Sequence, residues 1–122
     1  MALADLGRYD EAVRAYDRAL SLDPSFAIAF FTRGSALDAM GRYGESAEAY
    51  HAMTEIQPDF TDAWIRRGRA LYRTGNYPDA LTSFKRAIEI DPERREIWTD
   101  IGTILEKLGK REEARICFDK AK

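Results

Sequence analysis

Apolar and small side chains recur every three or four positions along the chain, the spacing of one face of an α-helix. Residues 61–94 hold two stripes with this helical spacing, the first of which includes one arginine. Their members are Trp64, Arg67, Gly68 and Leu71, followed by Ala80, Leu81, Phe84, Ala87 and Ile88. Between the stripes, Gly75 stands where a helix would end on a left-handed residue, and Pro78 suits the first position of the next helix. This segment is therefore predicted to form two helices joined by a tight turn.

The same pattern recurs with a period of 34 residues. Four sets of residues keep this interval: Pro24, Pro58 and Pro92; Gly7, Gly41, Gly75 and Gly109; Gly34, Gly68 and Gly102; Tyr9, Tyr43 and Tyr77. One helix pair cannot bury both stripes alone, so consecutive pairs must stack on one another. The predicted helices lie near 10–21, 27–40, 44–56, 61–74, 78–90, 95–108 and 112–121.

The repeated motif resembles the tetratricopeptide repeat. Its signature positions in 61–94 are occupied by Trp64, Gly68, Leu71, Gly75, Tyr77, Ala80, Phe84, Ala87 and Pro92. The resemblance divides the chain into a truncated repeat 1–26, full repeats 27–60 and 61–94, and a truncated repeat 95–122. It implies an all-α fold, a right-handed α-solenoid of antiparallel helix pairs. Arg111 departs from the family's tyrosine, and Ser46 and Met53 stand where alanine is usual.

Composition excludes several functional classes. Lys plus Arg number 19 and Asp plus Glu 21, a net charge of −2 that does not favour a nucleic-acid-binding protein. No apolar run approaches the length of a membrane span, and the first residues do not resemble a signal peptide, so we expect a cytoplasmic protein with no membrane contact. A single cysteine and a single histidine do not supply a common zinc site, and no cofactor is expected.

The titratable residues do not predict an enzyme. The acidic pair Glu112-Glu113 lies at a predicted helix start, where carboxylates favour the helix dipole. His51 has no evident partner in the sequence and is predicted to lie on the surface. Cys117, between Ile116 and Phe118, is predicted to be a partly buried structural thiol. The repeat explains every glycine, so no phosphate-binding loop is predicted.

The resemblance implies that ligands bind a concave groove lined by the first helix of each pair. In this frame the predicted groove residues are Ile28, Phe31, Ser35, Asp38, Ile65, Arg66, Arg69, Tyr72, Arg73, Thr99, Asp100 and Thr103. The groove would run from apolar, through basic and aromatic, to mixed acidic. This gradient is its most informative feature.

Three arginines on one helical face, Arg66, Arg69 and Arg73, indicate an acidic ligand because guanidinium groups bind carboxylates. Asp62, four residues before Arg66, could instead neutralise it, and both interpretations remain open for that arginine. For Arg69 and Arg73 we favour ligand capture. In this hypothesis, apolar ligand side chains contact Ile28, Phe31 and Ile65, and Tyr72 stacks alongside the acidic group.

The predicted function is a non-enzymatic scaffold that binds a peptide segment of another protein. The alternative is a regulatory or substrate-selecting repeat segment of a larger enzyme, such as a glycosyltransferase or a kinase. The carboxylate clamp that some family members use for chaperone tails is not expected, because Glu96 and Asp100 would repel a terminal carboxylate.

The terminal repeats lack polar capping helices in this frame, so self-association through the terminal helices is a further hypothesis. The alternative is a monomer with a frayed first helix. The residues predicted to be exposed there are Val13, Tyr16, Leu20, Ile104, Leu108 and Phe118.

Overall fold

The structure is a computed structural model that describes residues 8–15, 18 and 27–122. Residues 8–15 are helical, and we call them α1. Six further helices follow: α2 (Ala27–Ala39), α3 (Tyr43–Ile56), α4 (Thr61–Arg73), α5 (Tyr77–Ile90), α6 (Arg95–Lys107) and α7 (Arg111–Lys120). The predicted all-α repeat solenoid is confirmed, and the bounds of α2 to α7 agree with prediction to within one residue. The predicted helix 10–21 lies partly outside the described residues.

The helix ends follow the glycine period. Gly75 has a φ of +83°, a left-handed conformation that glycine adopts without strain. The Asn76 amide donates to the carbonyl of Leu71 at 2.9 Å, so the turn satisfies a carbonyl that the ending helix leaves unpaired. Gly41 and Gly109 adopt the same conformation. The next helix begins one residue earlier than predicted, at Tyr77 rather than at the proline.

Each helix pair is held together by an aromatic side chain against a glycine. A Cβ atom placed on Gly68 would lie 2.8 Å from Cζ of Phe84, which is fully buried. The same arrangement joins Gly34 to Tyr50 in the pair before, and Gly102 to Phe118 in the pair after. The missing Cβ allows the two helices of a pair to approach closely. The aromatic ring then fills the space between them.

The hydrophobic core is continuous across the second and third helix pairs. Its buried members are Ile65, Ala80, Phe84, Ala87, Ile97, Ile101, Ile104, Leu105, Ala114 and Cys117. Helix α6 packs against both α5 and α7, which joins one pair to the next. No helix in the described part of the chain is long and apolar enough to cross a membrane.

Two of the residues predicted to be exposed at the ends are buried instead. Ile104 is 1 % exposed because it faces back toward Phe84 of the preceding repeat. Val13 is 5 % exposed because it packs with Ala36 and Leu37. Leu108 is exposed as predicted. Phe118 is half-buried against Gly102, and Tyr16 and Leu20 lie outside the described residues.

Candidate peptide-binding groove

Two adjoining clefts along α2, α4 and α6 share the side chains of Arg69 and Arg73. The first has a volume of about 330 Å³ and is lined by Asp38, Ala39, Tyr43, Arg69, Ala70 and Arg73. The second, of about 230 Å³, is lined by Arg69, Tyr72, Arg73, Phe84, Asp100, Thr103 and Ile104. We call the two together the arginine clefts. They bring together six predicted groove residues: Asp38, Arg69, Tyr72, Arg73, Asp100 and Thr103.

Arg69 is neutralised within the protein. Its Nη2 donates to Oδ2 of Asp100 at 3.2 Å, so it has an internal partner, and ligand capture by Arg69 stays a prediction. Burial raises the pKa of the Asp100 carboxyl, and the nearby guanidinium offsets only part of that effect. Because Arg69 forms an ion pair with Asp100, the net positive charge at the second cleft is reduced.

Arg66 does not pair with Asp62. Its guanidinium lies 5.0 Å from the ring centroid of Phe31, and Nη1 lies 3.4 Å from Oγ of Ser35. Asp62 accepts a hydrogen bond from Arg94 instead, at 2.6 Å. The proposed neutralisation of Arg66 by Asp62 is therefore wrong. Phe31, Ser35 and Arg66 form a contact group at the start of the groove.

Arg73, the other arginine that the two clefts share, is available for a ligand. Its guanidinium lies 5.5 Å from the ring centroid of Tyr43. Within the described ranges, no carboxylate lies at ion-pair distance from it, and its side chain is exposed. An arginine held over an aromatic face keeps its edge donors free for a carboxylate.

Asp38 is fixed by a residue that the sequence did not identify. The Tyr50 hydroxyl donates to its Oδ2 at 2.6 Å, and Oγ of Ser35 lies 3.4 Å from the same hydroxyl. Burial and this bond raise the pKa of Tyr50 to about 12. The signal was present in the repeat, because Tyr50 places a hydroxyl where the next repeat has the apolar ring of Phe84.

The apolar end of the groove is smaller than predicted. Ile28 is 49 % exposed and available, but Ile65 is 3 % exposed and belongs to the core. Phe31 is half-buried between the rings of Tyr50 and Phe60, at centroid distances of 5.7 and 5.4 Å. Because Ile65 is buried, the predicted apolar residues that offer surface here are Ile28 and the exposed part of Phe31.

Comparison with known families settles the relationship. A tetratricopeptide repeat model matches residues 31–95 and 65–122, and a second repeat model of the same kind matches residues 2–41. The chain belongs to the tetratricopeptide repeat family. No curated protein matches the sequence significantly.

Solved structures share this tetratricopeptide fold. A crystal structure of MamA superposes with a TM-score of 0.90 at 20 % identity, over 94 % of this chain and 67 % of that one. MamA from Desulfovibrio magneticus RS-1, from residue 41 to its end, gives 0.86 at 24 % identity, over 98 % and 67 %. Another MamA crystal structure gives 0.89 at 24 % identity, over 97 % and 64 %. The chain thus spans about two-thirds of the length of these proteins, and the likeness is one of fold.

The remaining candidate residues of this tetratricopeptide array do not line the arginine clefts. His51 does have a partner, contrary to prediction: its Nε2 lies 2.8 Å from Oε1 of Glu55 on the exposed face of α3. Burial raises the pKa of the Cys117 thiol, which disfavours the thiolate a nucleophile needs. Thr99 is exposed, and its carbonyl accepts a hydrogen bond from Thr103 at 2.9 Å. Among the residues described, no group of three metal-binding side chains comes together.

Proposed function

We propose that this protein is a non-enzymatic interaction scaffold that binds an acidic peptide segment of another protein in the arginine clefts. Membership of the tetratricopeptide repeat family supports the scaffold role. The acidic side chain of the ligand binds Arg73, and Tyr72 packs alongside it. Apolar side chains of the ligand contact Ile28 and the edge of Phe31. A repeat segment of a larger enzyme, the alternative function, would use the same groove.

The observation that carries this proposal is the difference between the two arginines that the clefts share. Arg69 is held by Asp100 at 3.2 Å, whereas Arg73 has an aromatic partner and, in the described part of the chain, no carboxylate at ion-pair distance. A guanidinium at a concave surface forms charge-assisted, bidentate bonds with a carboxylate, which are about twice as strong as neutral hydrogen bonds. A ligand carboxylate therefore gains most by binding at Arg73.

Short fluorescent peptides test the proposal. Each carries leucine at one end and a glutamate at a varied distance from it, and a matched set carries glutamine in place of glutamate. We expect the glutamate peptides to bind more tightly in fluorescence anisotropy, with an advantage that shrinks as salt rises. Arg73→Glu should remove most of the affinity, and Arg69→Glu should have a smaller effect. The double variant should show the weakest salt dependence.

Arg86→Glu is the matched control, because it makes the same charge change on α5, where Arg86 pairs with Glu89 on an exposed face. We expect it to leave the affinity unchanged. Equal binding of the glutamate and glutamine peptides would contradict the acidic ligand. Unchanged affinity of the double arginine variant at low salt would contradict its placement in the clefts.

A further inference from the structure

A third cleft lies on the opposite side of α6 from the groove, between α5 and α7. It has a volume of about 290 Å³ and is lined by Lys85, Ile88, Trp98, Ile101, Leu105, Glu113, Ile116 and Cys117. We call it the outer cleft. Its floor residues Ile101 and Leu105 are buried, but Ile116 on its wall is 56 % exposed. Ile116 extends the apolar lining of the cleft out to the surface, and contiguous apolar patches rather than single exposed residues mark contact sites.

The repeat itself provides the control for this surface. One period earlier, the equivalent positions of Ile88, Ile101, Ile116 and Cys117 are occupied by Thr54, Arg67, Thr82 and Ser83. The same fold therefore forms with polar side chains at all four positions. Apolar character in the outer cleft is not a requirement of the helix packing.

The preceding groove differs from the outer cleft in the chemistry of its walls. Nη1 of Arg67 donates to the hydroxyl of Ser83, so a charged side chain crosses from α4 to α5 there. That groove also holds an open cavity, of about 410 Å³, with His51 and Arg67 among its lining residues. In the outer cleft the apolar Ile101 and Cys117 replace Arg67 and Ser83.

The two walls of the outer cleft carry opposite charges. Lys85 lies on α5 and Glu113 on α7, and both line the cleft. Neither has an ion-pair partner within the part of the chain that the structure describes. A surface with one charge on each wall is complementary to a copy of itself turned about an axis along the cleft. That rotation places α5 of one copy over α7 of the other.

We propose that the outer cleft is a two-fold interface between two copies of this chain. In the dimer, Ile116 of each copy packs against Ile88 of the other, and Lys85 of each copy pairs with the other copy's Glu113. Each ion pair forms twice because the interface is isologous. This surface is separate from the arginine clefts, so it does not depend on the proposed peptide function.

The apolar part of the interface is tested with substitutions that the chain already tolerates one repeat earlier. Ile88→Thr and Ile116→Thr introduce the residues of the preceding repeat. Each removes apolar contact at two symmetric places, and we expect it to weaken dimerisation at least about tenfold. Sedimentation equilibrium of the full chain measures the effect. Ile56→Thr, at an exposed isoleucine that does not line the outer cleft, is the matched control and should dimerise like the wild type.

The charged part is tested by mixing two variants. Lys85→Glu alone brings two glutamates together in each pair, and Glu113→Lys alone brings two lysines together, so each variant should remain near the monomer mass of 13.9 kDa. An equimolar mixture recreates a glutamate–lysine pair at both places. Its mass should rise toward twice the monomer value.

A wild-type mass that stays at 13.9 kDa up to millimolar concentration would overturn the proposal. So would a mixture no heavier than its components, or variants that dimerise as well as the wild type. Circular dichroism of each variant, with the helical signal of the wild type, shows that lost association is not lost folding. Dimerisation abolished by Ile56→Thr but not by Ile116→Thr would place the interface elsewhere.

Discussion

A methyl group at Gly68 would enter space that the ring of Phe84 already fills. An added Cβ would lie 2.8 Å from Cζ and 2.9 Å from both Cε atoms. Optimal carbon–carbon contact is roughly 3.5–4.0 Å, so the ring would have to retreat by about 0.7–1.2 Å. Phe84 is only 1 % exposed and is enclosed by the core, so it cannot move alone.

Two opposing effects set the magnitude for Gly68→Ala. Overpacking a filled core costs about 1–3 kcal/mol, and replacing glycine by alanine inside a helix gains about 1 kcal/mol. Because three ring atoms are too close, we take the upper part of the first range. The expected net loss is about 1–2 kcal/mol in the free energy of unfolding, measured by urea denaturation with circular dichroism.

A second background separates steric overlap from other causes. Leucine at position 84 lacks the ring atoms that the methyl group would meet, so in Phe84→Leu the Gly68→Ala change should be neutral or stabilising. Gly44→Ala is the control, because Gly44 is an exposed helical residue with no atom within 4 Å of an added Cβ. It should gain a few tenths of a kcal/mol up to about 1 kcal/mol. Equal losses for Gly68→Ala in both backgrounds would refute the reasoning.

Three further substitutions have expected outcomes in the same denaturation assay. Gly75→Ala meets no atom, but its φ of +83° is left-handed, so it should cost about 1–2 kcal/mol. The pKa of Tyr50 is raised to about 12. The protonated phenol therefore stabilises the fold fully below pH 10, the ordinary pKa of tyrosine, and this stabilisation is lost as the pH rises toward 12. Tyr50→Phe should flatten this alkaline decline, and an unchanged slope would contradict it. Burial also raises the pKa of Asp100 in the folded protein. The ionised carboxylate therefore destabilises the folded state at pH values above that raised pKa, and the effect is absent at pH values below the pKa of aspartate in the unfolded chain. The free energy of unfolding of Asp100→Asn should therefore exceed that of the wild type at neutral pH. The two should be equal at about pH 3, below the ordinary pKa of aspartate.

The sequence predicted the helices well because each boundary depends on local chemistry. A glycine such as Gly75 ends its helix by adopting a conformation that other residues avoid, and this needs no tertiary contact. The period of 34 residues then fixes which helices pair and stack. The arginine clefts were predicted in outline for the same reason, since the repeat frame assigns residues to the inner face.

The contacts within the groove were less predictable, because they join different repeats. Helical spacing suggested that Asp62 would pair with Arg66 four residues away, but Asp62 pairs with Arg94 instead. The burial of Ile65 was also predicted wrongly. This side chain of α4 packs with residues of α5 and α6 rather than lying exposed in the groove. Both errors arise from considering one helix without the next.

The cross-repeat contacts obey a simple offset. Ser35 and Arg66 are 31 residues apart, and so are Arg69 and Asp100. The first helices of consecutive repeats thus meet three residues out of step with the 34-residue period. Asp38 likewise lies 31 residues before Arg69, and both residues line the first arginine cleft.

This offset explains why two arginines on one helical face differ in role. Steps of 31 residues from Arg69 reach Asp38 in one direction and Asp100 in the other, so its charge lies between two carboxylates. The same steps from Arg73 reach Arg42 and Ile104, neither of which can neutralise it. Spacing within α4 makes Arg69 and Arg73 equivalent, whereas the stacking of repeats gives Arg69 an internal carboxylate and, among the residues that the structure describes, gives Arg73 none. Arg73 is therefore the residue through which this groove selects an acidic ligand in our proposal.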